Sequence, residues 1–165
     1  MNVTDMLEQS HLQVIQVLDD LPEVAWDIPG AYDDWSVKDI IAHLASYERV
    51  LINALNTFLG AEPTPYLHKF ISDPAAFDTA EVEVRKYQTP QHVEDEYQEL
   101  QVQSSALLAR IPADIVWQTG TMPWSRTHQC LADFIQTMCE HTREHCAQIV
   151  QFRATHADVT GPAEV

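Results

Sequence analysis

Apolar residues recur every three or four positions along four segments of the chain, which is the spacing of helices that bury one face. The first segment runs from Thr4 to about Asp20. The second follows Ser36, which together with Asp39 forms the pattern of a helix N-cap, and it ends at Gly60. No two segments show the alternating pattern of paired strands. The pattern therefore predicts an all-α fold.

Two long connections separate the later helices. Residues 61–88 are rich in proline at first and then charged, and we predict a crossover there with one short helix around 75–86. The third helix is predicted over 89–111 and the fourth over 127–155, with a second connection at 112–126. Four helices with two long connections fit a four-helix bundle that is not simply up-down-up-down.

Composition narrows the function classes. The chain has 165 residues, which fits one domain spanning residues 1–165. Its formal net charge of −16 at pH 7 argues against binding to nucleic acids or anionic membranes, because no basic surface is available to displace counterions. No stretch approaches the roughly 20 apolar residues of a membrane span, and the N-terminus lacks the pattern of a signal peptide. An odd count of three cysteines favours reduced thiols in a cytoplasmic protein.

Two histidines interrupt the apolar stripe of the fourth helix. His141 and His145 are four residues apart, so their side chains lie on one helix face with Cβ atoms about 5–6 Å apart. Burying two imidazoles without partners is costly, so a polar group must meet them inside the fold. A divalent metal ion fits this requirement, and imidazole ligands do not distinguish zinc, nickel, iron and manganese. The alternatives are a solvated pair and a pair that is hydrogen-bonded in the core.

Two known metal motifs are incomplete. The sequence from His141 to His145 matches H-x-x-E-H of inverted zinc proteases, but the third ligand would be a downstream Glu and Glu164 alone follows. A di-iron bundle needs two E-x-x-H motifs, and the chain has one, which ends at His11. Both interpretations are therefore disfavoured.

Several side chains are candidates for a pocket beside the histidines. His11 lies on the inward stripe of the first helix and either lines a pocket or is hydrogen-bonded in the core. Tyr47 and Glu48 are candidates for a general base by position alone, and Tyr47 also suits core packing. Trp124 is expected at a pocket mouth. Asp39 suits a second role as an acceptor for an imidazole N–H, although capping already explains it.

Two motifs resemble those of the DinB/YfiT-like metalloprotein family. Residues 35–44, WSVKDIIAHL, match its pattern W-[ST]-x-x-[DE]-x-x-x-H-L at the start of the second helix. Residues 141–149, HTREHCAQI, match its pattern H-x-x-x-H-x-x-Q-[IL] in the last helix. The resemblance implies a four-helix bundle with unusual connectivity. By motif matching, it also implies a divalent metal held by His43, His141 and His145.

The same resemblance implies a reaction class. The family includes S-transferases that depend on bacillithiol or mycothiol, and a mycothiol-dependent maleylpyruvate isomerase, and its members often form homodimers. We therefore expect an enzyme that activates a low-molecular-weight thiol, or water, for transfer to or hydrolysis of a small electrophile. Two alternatives stay open: a stress-related bundle that binds metal or ligand without catalysis, and a bundle whose histidines are hydrogen-bonded in the core.

Overall fold

The computed structural model describes residues 2–161 and is all-α over this range, as the sequence predicts. No helix in these residues has the length and apolarity needed to cross a membrane. Four long helices and four short ones follow one another, with a 3₁₀ turn at Glu23–Ala25. The helices are α1 Val3–Leu18, α2 Val37–Phe58, α3 Pro65–Ser72, α4 Pro74–Glu83, α5 Pro90–Leu108, α6 Ala113–Val116, α7 Leu131–Thr155 and α8 Ala157–Thr160.

The start of α2 forms through the predicted cap. The Asp39 backbone N–H donates to Ser36 Oγ at 3.1 Å, and the Ser36 N–H donates to Asp39 Oδ2 at 3.0 Å, which is a complete capping box. At the other end, Gly60 has φ +101°, a conformation that glycine adopts without the steric cost other residues have. The helix that carries His43 is therefore fixed at both ends by local sequence.

The crossover contains two helices where the sequence predicted one. Both α3 and α4 begin with proline at the first position, after the N-caps Thr64 and Asp73, whose side chains accept backbone N–H groups. The predicted helix at 75–86 corresponds to α4, which ends at Glu83, and α3 was missed. The same pairing of cap and proline that marks the start of α5 was present at both positions.

The predicted start of the fourth helix is wrong by four residues. The backbone N–H groups of Thr127 and His128 donate to Ser125 Oγ at 3.4 and 3.1 Å, so a local turn occupies this stretch. Cys130 is the N-cap, and α7 begins at Leu131. The second connection is therefore longer than predicted, and its extra residues are available to cover the side of the bundle.

Helices α2 and α5 pack along each other, as do α1 and α7, and smaller contacts of α1 with α5 and of α2 with α7 close the bundle. Helices α2 and α5 run parallel: near the start of α2, Lys38 Nζ donates to the Gln88 carbonyl at 3.1 Å, and further along Ser104 donates to Glu48 at 2.7 Å. Parallel neighbours need a long connection between them, which explains the crossover.

A polar layer divides the core at mid-height. Below it lies one apolar cluster, which includes Leu7, Leu55 and Ile135, and above it lies a second, which includes Val14 and Ile41. The layer between them is formed by buried or partly buried polar side chains from all four long helices: Ser10, His11, His43, Ser46, Glu48, Ser104, His141 and His145. The candidate metal ligands therefore lie inside the bundle and not at one of its ends.

Candidate metal centre

Three histidines from the neighbouring helices α2 and α7 meet in the polar layer. His43 is on α2, and His141 and His145 lie one turn apart on α7. The Nε2 atom of His141 is 3.0 Å from Nε2 of His43 and 3.1 Å from Nε2 of His145. Nitrogens bound at 2.0–2.1 Å to one cation lie about 3.0–3.4 Å apart, so these separations fit three ligands of a single ion. Within residues 2–161 this is the one group of His, Cys, Asp or Glu side chains with such convergence.

The proton positions favour a cation over hydrogen bonds among the rings. Gln148 Oε1 accepts from Nδ1 of His145 at 2.7 Å, so Nε2 of His145 presents a lone pair to the other rings. Nε2 of His141 faces both His43 and His145, yet a ring nitrogen offers one proton or one lone pair, and it cannot satisfy both as ordinary hydrogen bonds. A shared cation satisfies all three nitrogens together, and the residues present therefore fit a divalent metal.

Burial keeps the three imidazoles in the ligating form. Burial lowers the pKa of His43 to about 2, with repulsion from His141 and His145 adding to the effect. Burial and repulsion from His145 lower the pKa of His141 to about 4. The pKa of His145 is also lowered by burial, against the hydrogen bond to Gln148. All three rings are therefore neutral near pH 7, and a metal need not displace protons from them.

Aromatic rings hold the imidazoles in place. Tyr47 stacks on His141 with ring centres 4.5 Å apart and planes inclined by 19°. Trp35 lies 5.1 Å from His43, and Tyr32 makes an edge contact with His145 at 5.4 Å. This packing restricts ring rotation, so the centre is arranged before any ligand binds.

A cavity of about 260 Å³ reaches the centre from the side of the bundle. Tyr47 and His141 form its inner wall. The crossover and the second connection supply much of the rest, with some residues from α7: Phe70, Ile71, Pro74, Trp124, Ser125, Arg126, Thr127, His128, Phe134, Thr137 and Met138. The wall is mostly apolar and its volume suits a small molecule.

A family model described as the DinB superfamily matches residues 6–149. The chain belongs to the DinB superfamily. The matched range contains all three histidines, the whole of α2 and α5, and most of α1 and α7. No curated protein and no solved structure matches the chain.

The four pocket candidates of this DinB protein fall into two groups. Tyr47 and Trp124 line the cavity. His11 and Glu48 do not: they pair with each other in the core, where Glu48 also accepts a hydrogen bond from Ser104 at 2.7 Å. For His11 the structure shows the hydrogen-bonded core position, which was one of its two predicted alternatives.

Sequence patterns alone missed two contacts of the centre. Gln148 belongs to the family motif, but its bond to His145 becomes visible only in the structure. Asp78, on α4, lies with Oδ1 at 3.7 Å from Nδ1 of His43. Asp39, the candidate acceptor for an imidazole, is occupied by the cap of α2. Glu144, the acid of the incomplete protease motif, is exposed.

Proposed function

We propose that this protein is an enzyme that uses a divalent cation, held by His43, His141 and His145, to join a thiol or water to a small electrophile. A cation bound there would lower the pKa of a thiol or water and so supply a nucleophile near pH 7. The observation that carries the proposal is that the cavity opens directly on His141. Three protein ligands beside an open cavity are typical of catalytic sites, whereas structural sites are closed by protein ligands.

The side chains around the cavity support this role. Burial raises the pKa of the Tyr47 hydroxyl above its ordinary value, and the nearby Asp78 carboxylate raises it further. Tyr47 therefore stays protonated and suits a hydrogen-bond donor better than a general base, and Asp78 is the acceptor beside its hydroxyl. Glu48 is a poor base for this cavity because its two oxygens already contact His11 and Ser104.

The cavity also indicates the kind of electrophile. Aromatic and aliphatic side chains dominate its wall, among them Phe70, Trp124 and Phe134. Its volume of about 260 Å³ lies just below the range of common ligand pockets. We therefore propose a small and mainly apolar electrophile, with the polar stretch 125–128 at its edge.

The first test is elemental analysis of the purified protein beside a double variant, His141→Ala/His145→Ala. The matched control is His68→Ala/His92→Ala, which removes two exposed histidines elsewhere in the fold. We expect one divalent metal per chain in the wild type and in the control, and none in the folded double variant. A wild type that cannot be loaded with zinc, nickel, iron or manganese contradicts the proposal.

The second test is turnover. The metal-loaded protein is incubated with low-molecular-weight thiols and a panel of apolar electrophiles, and conjugates and hydrolysis products are measured by mass spectrometry. We expect products with the loaded wild type and none with the double variant. A loaded protein that gives no product across a broad panel favours the alternative, a DinB protein that binds metal or ligand without catalysis.

We further propose a cellular location and an oligomeric state for the protein. Three buried cysteines without disulfides are typical of a reducing compartment, which supports a cytoplasmic location. We also propose that the protein is a homodimer. Size-exclusion chromatography coupled to light scattering would measure its mass in solution. A mass of 18.7 kDa in that experiment would contradict the dimer.

A further inference from the structure

Two buried polar atoms face each other behind the centre. Nδ1 of His43 and Oδ1 of Asp78 are 3.7 Å apart, and neither has a hydrogen-bond partner. The His43 side chain is 2% exposed and that of Asp78 is 27% exposed. Buried polar groups without partners are rare because each costs free energy, so a facing pair of them calls for an explanation.

The two atoms are complementary. Nε2 of His43 points at His141, so in a ring that ligates through Nε2 the proton is on Nδ1, which faces Asp78. The separation exceeds the upper limit of an ordinary N–H···O bond by about 0.5 Å. A small movement of one side chain therefore forms a hydrogen bond to a carboxylate, which is stronger than one to a neutral acceptor.

Other carboxylates near this part of the fold are already engaged. Asp39, one turn before His43 on α2, accepts the Ser36 N–H in the capping box. Glu81, one turn after Asp78 on α4, accepts from the Tyr66 hydroxyl and lies 3.8 Å from Arg85. Asp78 also interacts with the Tyr47 hydroxyl, but its Oδ1 atom has no hydrogen-bond partner and is therefore free to accept the His43 proton.

We propose that Asp78 is a positioning residue that holds His43 in the orientation and proton state needed for metal binding. Histidine ligands commonly donate their second ring proton to a carboxylate, which fixes the ring and raises its basicity. Asp78 would do for His43 what Gln148 does for His145. This inference rests on the metal site of the proposed function.

The test compares Asp78→Asn and Asp78→Ala with wild type and with Glu83→Gln. Glu83 is an exposed acid on the same helix, so its variant makes the same charge change as Asp78→Asn without touching His43. Zinc affinity is measured by competition with a chromogenic chelator. Cobalt-loaded protein gives an absorption spectrum that reports the ligand geometry, and urea unfolding with EDTA gives the stability of the metal-free protein.

We expect zinc affinity to fall about 10–100-fold in both Asp78 variants and to stay within about twofold in Glu83→Gln. The cobalt spectrum should shift in Asp78→Asn and stay unchanged in Glu83→Gln, although both variants remove one negative charge. Metal-free stability should be unchanged or higher in Asp78→Asn, because the substitution removes a partly buried charge whose Oδ1 atom has no hydrogen-bond partner.

The outcomes separate this inference from the function on which it rests. If the wild type binds one zinc that is lost in His141→Ala/His145→Ala, and Asp78→Asn binds as tightly as Glu83→Gln, the metal site stands and the role of Asp78 is overturned. If metal-free Asp78→Asn is destabilised and its cobalt spectrum is unchanged, Asp78 is merely structural. If the wild type binds no metal, both proposals fail.

Discussion

The pair of His11 and Glu48 allows a quantitative test of how the polar layer is held together. His11 on α1 is 6% exposed, Glu48 on α2 is 8% exposed, and Ser104 on α5 is fully buried. His11 Nε2 contacts one oxygen of Glu48, and Ser104 donates to the other at 2.7 Å. Three helices are therefore joined at one carboxylate that has little access to water.

Removing one partner should cost far more than removing both. In His11→Leu the Glu48 carboxylate stays buried without its partner, and such losses cost about 3–5 kcal/mol. This is a large part of the 5–15 kcal/mol that stabilises a typical domain. In His11→Leu/Glu48→Leu no charge is left buried at this position, and Ser104 keeps its bond to the Gln101 carbonyl. We therefore expect the double variant to be within about 1 kcal/mol of wild type, or more stable.

The assay is urea unfolding at pH 7 in EDTA, followed by far-ultraviolet circular dichroism. Ser105→Ala is the control, because it removes only the contact of 3.3 Å to Nδ1 of His11 and should cost less than about 1 kcal/mol. The reasoning is refuted if His11→Leu costs less than about 1 kcal/mol. It is equally refuted if the double variant loses the sum of the two single losses, since the pair would then be uncoupled.

Three further predictions concern the metal centre and one buried lysine. Without metal, stability should fall as the pH drops below 6.5, because His141 binds a proton in the unfolded chain but not in the folded one, where its pKa is lowered to about 4. In His141→Gln, the loss of urea-derived stability between pH 7.5 and 5.5 should be smaller by about 1 kcal/mol, and parallel curves for the two proteins would contradict this. Zinc at 100 times its dissociation constant should add about 2.7 kcal/mol and raise the melting temperature by about 5–10 °C, an increase that calorimetry should not find in the double-histidine variant. Lys38→Met should cost about 1–3 kcal/mol in thermal unfolding, since Lys38 Nζ donates to the Lys86 and Gln88 carbonyls at 3.0 and 3.1 Å; an unchanged melting temperature would show that these bonds contribute nothing.

Local signals explain what the sequence predicted well. The apolar spacing of α2 and the cap at Ser36 and Asp39 depend on neighbours a few residues apart, so they are readable from the sequence alone. The same is true of His141 and His145, whose spacing of one turn places them together on any helix. The joining of His43 to this pair came from the family motifs, because helical periodicity does not say which helices pack side by side.

Contacts between distant segments explain what the sequence did not predict. Asp78 lies in the crossover, 35 positions after His43, and no periodic pattern connects the two. The sequence placed His11 correctly on an inward face. Its partner Glu48 lies 37 positions later on another helix, so the periodicity of α1 could not indicate it. Helix α3 was missed because the prolines around Thr64 suggested coil, whereas proline after a capping residue starts a helix.

The histidines and the cavity wall come from different parts of the chain. The proposed metal ligands are on α2 and α7, whereas Phe70 and Trp124 on the cavity wall belong to the two connections. Connections tolerate changes of sequence and length better than packed helices do. New side chains at these positions would therefore alter which molecules enter, while the histidines and their chemistry are kept. In such a bundle, the preference for a small molecule can diverge during evolution through the connections alone.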